Sequence, residues 1–176
     1  MRKYLGSTLF WLLCFSAGVA FAEAKASTSE NNSAMDATSH LSRAKSTVES
    51  RTLTVRIDRT FAAVYEFLVD PANWNQWALG LGKSLRRSDA GWIADSDRGI
   101  VKVRFTPRNE FGVVDHTVIR PSGAEVYVPM RLIANGDGCE LLFTLFREPA
   151  ITDEQFNADS EFVQRDLHGL KNLLEK

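Results

Sequence analysis

Five short turn motifs punctuate residues 83–148: "SDAG", "SDRG", "NEFG", "PSG" and "NGDG". Each is built from the small and polar residues that close β-hairpins. Around and between them lie "KSLRRS", "GWIAD", "GIVKVRFTPR", "GVVDHTVIR", "AEVYVPMRLIA" and "CELLFTLFRE". Links this short cannot carry a crossover between parallel strands, so the six runs predict an antiparallel meander. One face of such a sheet is apolar and needs cover. The segment "TDEQFNADSEFVQRDLHGLKNLLEK" follows with Phe156, Val163, Leu167, Leu170 and Leu174 on one helical stripe, opened by a Thr152–Gln155 capping box. A helix of this kind is stable only with its stripe laid on the sheet.

Ahead of the meander, "RTLTVRI" alternates so that Leu53, Val55 and Ile57 share one side of a half-buried strand. Asp58 is placed to cap a helix carrying Phe61, Val64, Tyr65 and Leu68, which proline ends near Asp70-Pro71. Asp70 can cap a short second helix bearing Trp74 and Trp77. The expected order is strand, two helices, six strands and a long helix, an α+β chain.

The chain begins "MRKYLGSTLFWLLCFSAGVAFAEAKA": two basic residues, an apolar run and a small-x-small sequence at Ala20-Phe21-Ala22. These parts make a secretory signal peptide over residues 1–22, cleaved after Ala22 or, as the second choice, after Ala26. The alternative is an uncleaved anchor, against which Gly6, Ser7, Ser16 and Gly18 interrupt the run. Leu13 stands before Cys14, where a lipoprotein signal requires a small residue. Residues 23–50 hold no aromatic side chain and are rich in Ser, Ala, Thr and Asn, so they read as a flexible linker. Asn31-Asn32-Ser33 there is a glycosylation tripeptide of a kind common by chance, and His40 has no assigned role. The expected location is periplasmic or secreted, with no stable membrane span once the signal is removed.

The domain expected over residues 51–176 holds 16 basic and 18 acidic side chains, which excludes the basic footprint of a nucleic-acid binder. A domain of that size builds its core without staples. Cys139 is its one cysteine, so no internal disulfide can form, and with His116 and His168 it makes a poor zinc set. No metal and no cofactor are expected.

The order of elements, with "DRTFAAVYEFLVDPANWNQW" at the front and "FNADSEFVQRDLHGLKNLLEK" at the end, resembles the START-like superfamily, also called SRPBCC, of polyketide cyclases/dehydrases and lipid-transport proteins. The resemblance spans the whole domain. It implies a helix-grip fold, a curved sheet wrapped around the last helix with an apolar cavity between them. No subfamily is implied, and the fold carries lipid carriers, cyclases, quinone-binding proteins and hydrolases alike.

Strand register identifies the cavity side. A four-residue loop at "NGDG" sets Leu132 against Leu141, Met130 against Phe143 and Val128 against Leu145. A three-residue loop at "PSG" sets Val126 against Val118 and Val128 against His116, and "NEFG" sets Phe105 against His116 and Val103 against Val118. The inner face then holds Val103 and Phe105 on one strand and His116 and Val118 on the next. It continues through Val128, Met130 and Phe143, faced by Val163 and Leu167 of the last helix. A slip of one residue at "PSG" would instead turn Val113, Asp115, Thr117 and Ile119 inward.

Asp115 and His116 are adjacent but point to opposite faces of a regular strand, so they are not a general-base pair. Asp115 is expected outside, in a solvated ion pair with Arg104 or Arg131; Arg147 is likewise expected on the outer face. His116 reads either as a core histidine satisfied by a backbone carbonyl or by Asp166, or as the group that orients a ligand's polar end. Tyr65, Thr144 and Asp166 join it only under other registers. His168 is expected to be exposed, and Trp77 and Trp92 are expected in the core, Trp92 near a cavity mouth. Three functions follow. The first is binding of a small hydrophobic molecule of lipid, quinone or isoprenoid type. The second is a cyclase, dehydratase or hydrolase with His116 as acid/base, and the third an interaction module with a filled cavity. Catalysis needs convergent polar groups, and this face supplies chiefly His116, so binding stands first.

Overall fold

The structure, a computed structural model, describes residues 47–96 and 98–176. The expected signal peptide and its cleavage site, nearly all of the expected linker, the Asn31-Asn32-Ser33 tripeptide and His40 lie outside the described residues. Two antiparallel sheets wrap one long helix. The larger has five strands in chain order: β2 (Arg86–Ser88), β3 (Gly91–Ser96), β4 (Gly99–Phe105), β5 (His116–Ile119) and β6 (Glu125–Val128). The smaller runs β1 (Ser50–Ile57), β8 (Gly138–Phe146), β7 (Met130–Asn135). Helix α1 (Phe61–Leu68) and a 3-10 helix (Pro71–Gln76) follow β1, and α2 (Asp153–Leu174) closes the chain. This is the expected α+β helix-grip architecture.

Pro129 divides the expected strand "AEVYVPMRLIA" into β6 and β7 because it cannot donate to a ladder. The seven strands after α1 therefore replace the expected six, and Val128 does not pair with Leu145: it pairs with His116. The split leaves the two sheets in touch through Thr144, whose N–H donates to the Pro129 carbonyl at 2.9 Å. A second link is the segment before β5. Instead of continuing the hairpin, residues 112–114 lie against β7, with Leu132 N–H donating to Gly112 O at 2.8 Å and Val114 N–H to Met130 O at 3.0 Å. β4 thus ends at Phe105, and the "NEFG" turn belongs to a longer loop than the expected four-residue one.

The other registers are as expected. Met130 faces Phe143 and Leu132 faces Leu141; Val118 faces both Val126 and Val103; Phe105 faces His116. Local caps follow the sequence with one exception. Asp70 Oδ1 accepts from Ala72 N–H and starts the 3-10 helix, and Thr152 and Gln155 complete the capping box of α2. The N-cap of α1 is Thr60, whereas Asp58 was expected. Asp58 lies too early for that role, and its own N–H donates to Glu175 Oε1 at 2.6 Å.

Helix α2 buries Phe156, Val163, Leu167 and Leu170 against the core, and Leu174 packs on it from the margin. It also serves the outer edge of β1. Gln164 Nε2 donates to Thr54 O at 3.3 Å and Lys171 Nζ to Arg56 O at 2.9 Å. Glu49 and Ser50, placed with the linker in the sequence reading, extend the pairing of β1 with β8: Ser50 faces Phe146 and Arg147 N–H donates to Glu49 O at 2.9 Å.

Candidate functional site

The cavity between sheet and helix is small, about 20 Å³, and its wall is drawn from four places in the chain. The 3-10 helix and the residues after it bring Trp74, Trp77, Ala78 and Leu81. The sheets bring His116, the first residue of β5, and Phe143 of β8. One face of α2 brings Val163, Asp166 and Leu167, at the three- and four-residue spacing that stacks side chains along a helix.

Of the nine residues expected at the site, His116, Phe143, Val163 and Leu167 line this cavity. Val128 and Met130 are buried in the main core beside it, and Val103 in a second cluster with Leu81, Ala94 and Val101. Val118 packs against that second cluster, and Phe105 bridges the two. These five share the inner face, but the sheet's curvature carries them away from the opening. Tyr65 and Thr144 are engaged elsewhere, Tyr65 Oη accepting from Asn109 N–H at 2.7 Å and Thr144 meeting the Thr52 hydroxyl at 3.3 Å. Trp92 is half-buried against the second cluster, with the Arg87 guanidinium 5.8 Å from its ring centre, and His168 is exposed.

His116 is 1% exposed and shut in by aromatic carbon. Trp74 meets it edge-on and Phe105 lies at 6.0 Å between ring centres. Burial alone drives its pKa down to about 3, so the imidazole is neutral across the physiological range. Neither ring nitrogen has a hydrogen-bond partner. Asp166 shares the cavity but does not satisfy the histidine. Its Oδ2 accepts from Leu79 N–H at 3.1 Å, and its Oδ1 has no partner. Burial raises its pKa to about 7, opposed by the Leu79 N–H, the charge of Arg165, the backbone of Gly80 and the charge of Lys83. Trp77, expected as a plug of the core, is buried, yet its indole N–H is also unpartnered. Among the described residues, the buried side-chain nitrogens and oxygens without a partner are Trp77 Nε1, both nitrogens of His116 and Asp166 Oδ1. All of them belong to residues of this one wall.

Buried polar groups in folded proteins are satisfied as a rule, and exceptions that converge on one cavity mark a place for something else to bond. Sequence reasoning missed Trp77 and gave Asp166 only as a partner of His116 or as an inner-face group under another register. The signal was present in the α2 stripe, since Asp166 falls three residues after Val163 and one before Leu167, inside an otherwise apolar face.

Asp115 corrects an expectation. Its side chain does point away from His116 and toward Arg131, but it is 5% exposed rather than solvated. Its carboxylate accepts from Met130 N–H at 2.7 Å, from the Tyr127 hydroxyl and from the Arg131 guanidinium. The cause is the passage of residues 112–114 onto β7, which sets Asp115 in the angle between the sheets. Arg104 takes the exposed partner instead, Glu125 at 2.9 Å. Among the described residues no group of three His, Cys, Asp or Glu is arranged to hold a metal, and no helix is long and apolar enough to cross a membrane.

No protein-family model and no curated protein matches the sequence. Solved structures do match the fold. An uncharacterised protein from Bacillus thuringiensis is similar at TM-score 0.58 and 12% identity, over 73% of this chain and 100% of its own. The Aha1 dimer from Colwellia psychrerythraea is similar at TM-score 0.53 and 17% identity, over 72% of this chain and 96% of that one. A protein from Cytophaga hutchinsonii gives TM-score 0.54 and 19% identity, over 73% and 95%. At such identities the likeness is one of fold: this chain shares the helix-grip architecture of small α+β proteins.

Proposed function

We propose that the protein binds a small molecule, whose polar end enters the cavity between the sheets and α2. The carrying observation is the convergence of the unpartnered polar atoms of Trp77, His116 and Asp166 on one largely apolar wall, the arrangement expected where a few groups orient an otherwise apolar ligand. Site volume narrows the ligand. At about 20 Å³ the cavity holds one small polar group and neither an acyl chain nor a quinone ring, so the ligand's apolar body lies outside it. Three polar side chains converging on one wall differ from a core closed over apolar atoms alone, which places binding above a filled interaction module. The basic, apolar and small-x-small parts of residues 1–22 support a periplasmic or secreted site of action.

Native mass spectrometry of the protein purified from its own compartment, followed by solvent extraction, tests this reading. The expected result is a mass adduct released on denaturation. Protein that is repeatedly free of adduct and binds no apolar probe would overturn it and leave the interaction module.

A further inference from the structure

Resting on the ligand reading above, we infer that the polar end of the molecule taken by this cavity is a single uncharged hydroxyl. The assignment comes from matching donors to acceptors. Trp77 Nε1–H can only donate, so the occupant must accept. Neutral His116 offers one N–H and one lone pair, and neither meets a protein partner. Asp166 Oδ1 accepts when ionised and can donate when protonated. A hydroxyl has one O–H and two lone pairs, so it accepts from Trp77 while donating to His116 or Asp166. A lone carbonyl could only accept, leaving both the imidazole lone pair and the acceptor at Asp166 Oδ1 unmet. An ammonium could only donate and would turn its hydrogens toward the Trp77 N–H. A carboxylate would bring a negative charge into a largely apolar wall, where no guanidinium or ammonium lies to offset it.

Size agrees with chemistry. A water needs roughly 10–15 Å³ of cavity measured this way, and the 20 Å³ here suits one oxygen rather than a planar acid or amide. A ligand hydroxyl reproduces the bonds that a water would make at the same point, so it can replace one without loss. The ligand's apolar body would leave the cavity on its side nearest the surface. Asp166 is held by Leu79 N–H, and Leu79 itself is 49% exposed, so the polar end of the cavity lies one residue from the surface. Ala78 and Leu81 line the cavity with apolar carbon.

Four probes built on one benzene ring separate the possibilities: phenol, toluene, benzoate and benzylammonium. Each is titrated into the full-length ¹⁵N-labelled protein while the assigned Trp77 indole N–H resonance is followed. Phenol should shift that resonance saturably and bind about tenfold or more tighter than toluene, the ratio set by hydrogen bonds that toluene leaves unmade. Benzoate and benzylammonium should give no saturable shift. In His116→Phe, which keeps a ring of similar size, the advantage of phenol over toluene should shrink toward unity while the amide spectrum stays folded. Toluene binding as tightly as phenol would overturn the hydroxyl and leave the ligand site standing. Tighter binding of either charged probe would overturn it in favour of a charged head. If no probe saturates, the hydroxyl and the ligand reading fall together.

Discussion

Trp74 stands edge-on to His116, ring centres 4.8 Å apart and planes 84° apart. The indole N–H cannot serve the imidazole, because it donates to Leu68 O at 3.0 Å. Trp74 therefore encloses the histidine without satisfying it, and the fold gains little from the imidazole nitrogens. His116→Phe should leave the thermal midpoint at pH 7 unchanged or raise it by a few degrees, as expected for removing unpaired buried polar atoms. Circular-dichroism melting measures this. A loss beyond about 2 kcal/mol would show that the imidazole supports the core.

His116 and Asp166 give opposite pH slopes. The folded histidine titrates at about 3 against 6.5 ordinarily, so its contribution is complete above 6.5 and is lost as pH falls toward 3. The folded aspartic acid titrates at about 7 against 3.8, so its contribution is complete below 3.8 and is lost as pH rises toward 7. Between those limits the folded pair carries its proton on Asp166 and the unfolded pair on His116, and the two slopes cancel. Relative to the parent, Asp166→Asn should lose stability on acidification from 6.5, whereas His116→Phe should gain it from 7 down to 4. Each slope should reach at most about 1.4 kcal/mol per pH unit. Urea midpoints at several pH values check the signs; parallel curves for the two variants would refute the assignment.

Asp115 should matter more to stability than any exposed acid of the same sheet. Removing it strands the Met130 N–H in the angle between the sheets and releases Tyr127 and Arg131. Asp115→Ala should cost about 2–4 kcal/mol. Glu125→Ala, which breaks the exposed pair with Arg104, should cost at most about 1 kcal/mol. Chemical denaturation of the two variants side by side tests the ranking.

Gly112 has φ of +67°, and a Cβ there would lie 2.1 Å from Leu132 O, which accepts no such approach. Gly112→Ala should cost at least about 3 kcal/mol, through strain at a left-handed position and through loss of the Leu132 N–H to Gly112 O bond. Gly123→Ala, with φ of +85° but open space around it, should cost less. Expression yield and urea midpoints read out both.

Most of the fold was legible because it rests on local chemistry. Turn residues fixed the hairpins, and period-2 alternation placed His116 opposite Phe105 and Val128 without reference to three dimensions. Two things were not. The departure of residues 112–114 from β4 toward β7 depends on contacts distant in sequence, so Asp115 read as a surface charge. The cavity wall also depends on curvature. Residues of the inner face are equivalent by parity, and only the bend of the sheet over α2 separates Phe143, which lines the opening, from Met130, which packs in the core beside it. Trp77 could be placed as buried by size, but whether its N–H would find a carbonyl, as that of Trp74 does, is a matter of backbone placement.

The bonds from Gln164 and Lys171 to the carbonyls of Thr54 and Arg56 bear on solubility. β1 is the last strand of its sheet, and an open strand edge is a template for another copy of the chain. Here the helix that closes the fold spends polar side chains on that edge, so its undocking would uncover the core and a row of free backbone acceptors together. Aggregation of this protein should therefore begin with release of α2, and a chain cut short before Gln164 should form β-rich assemblies rather than a loosened monomer.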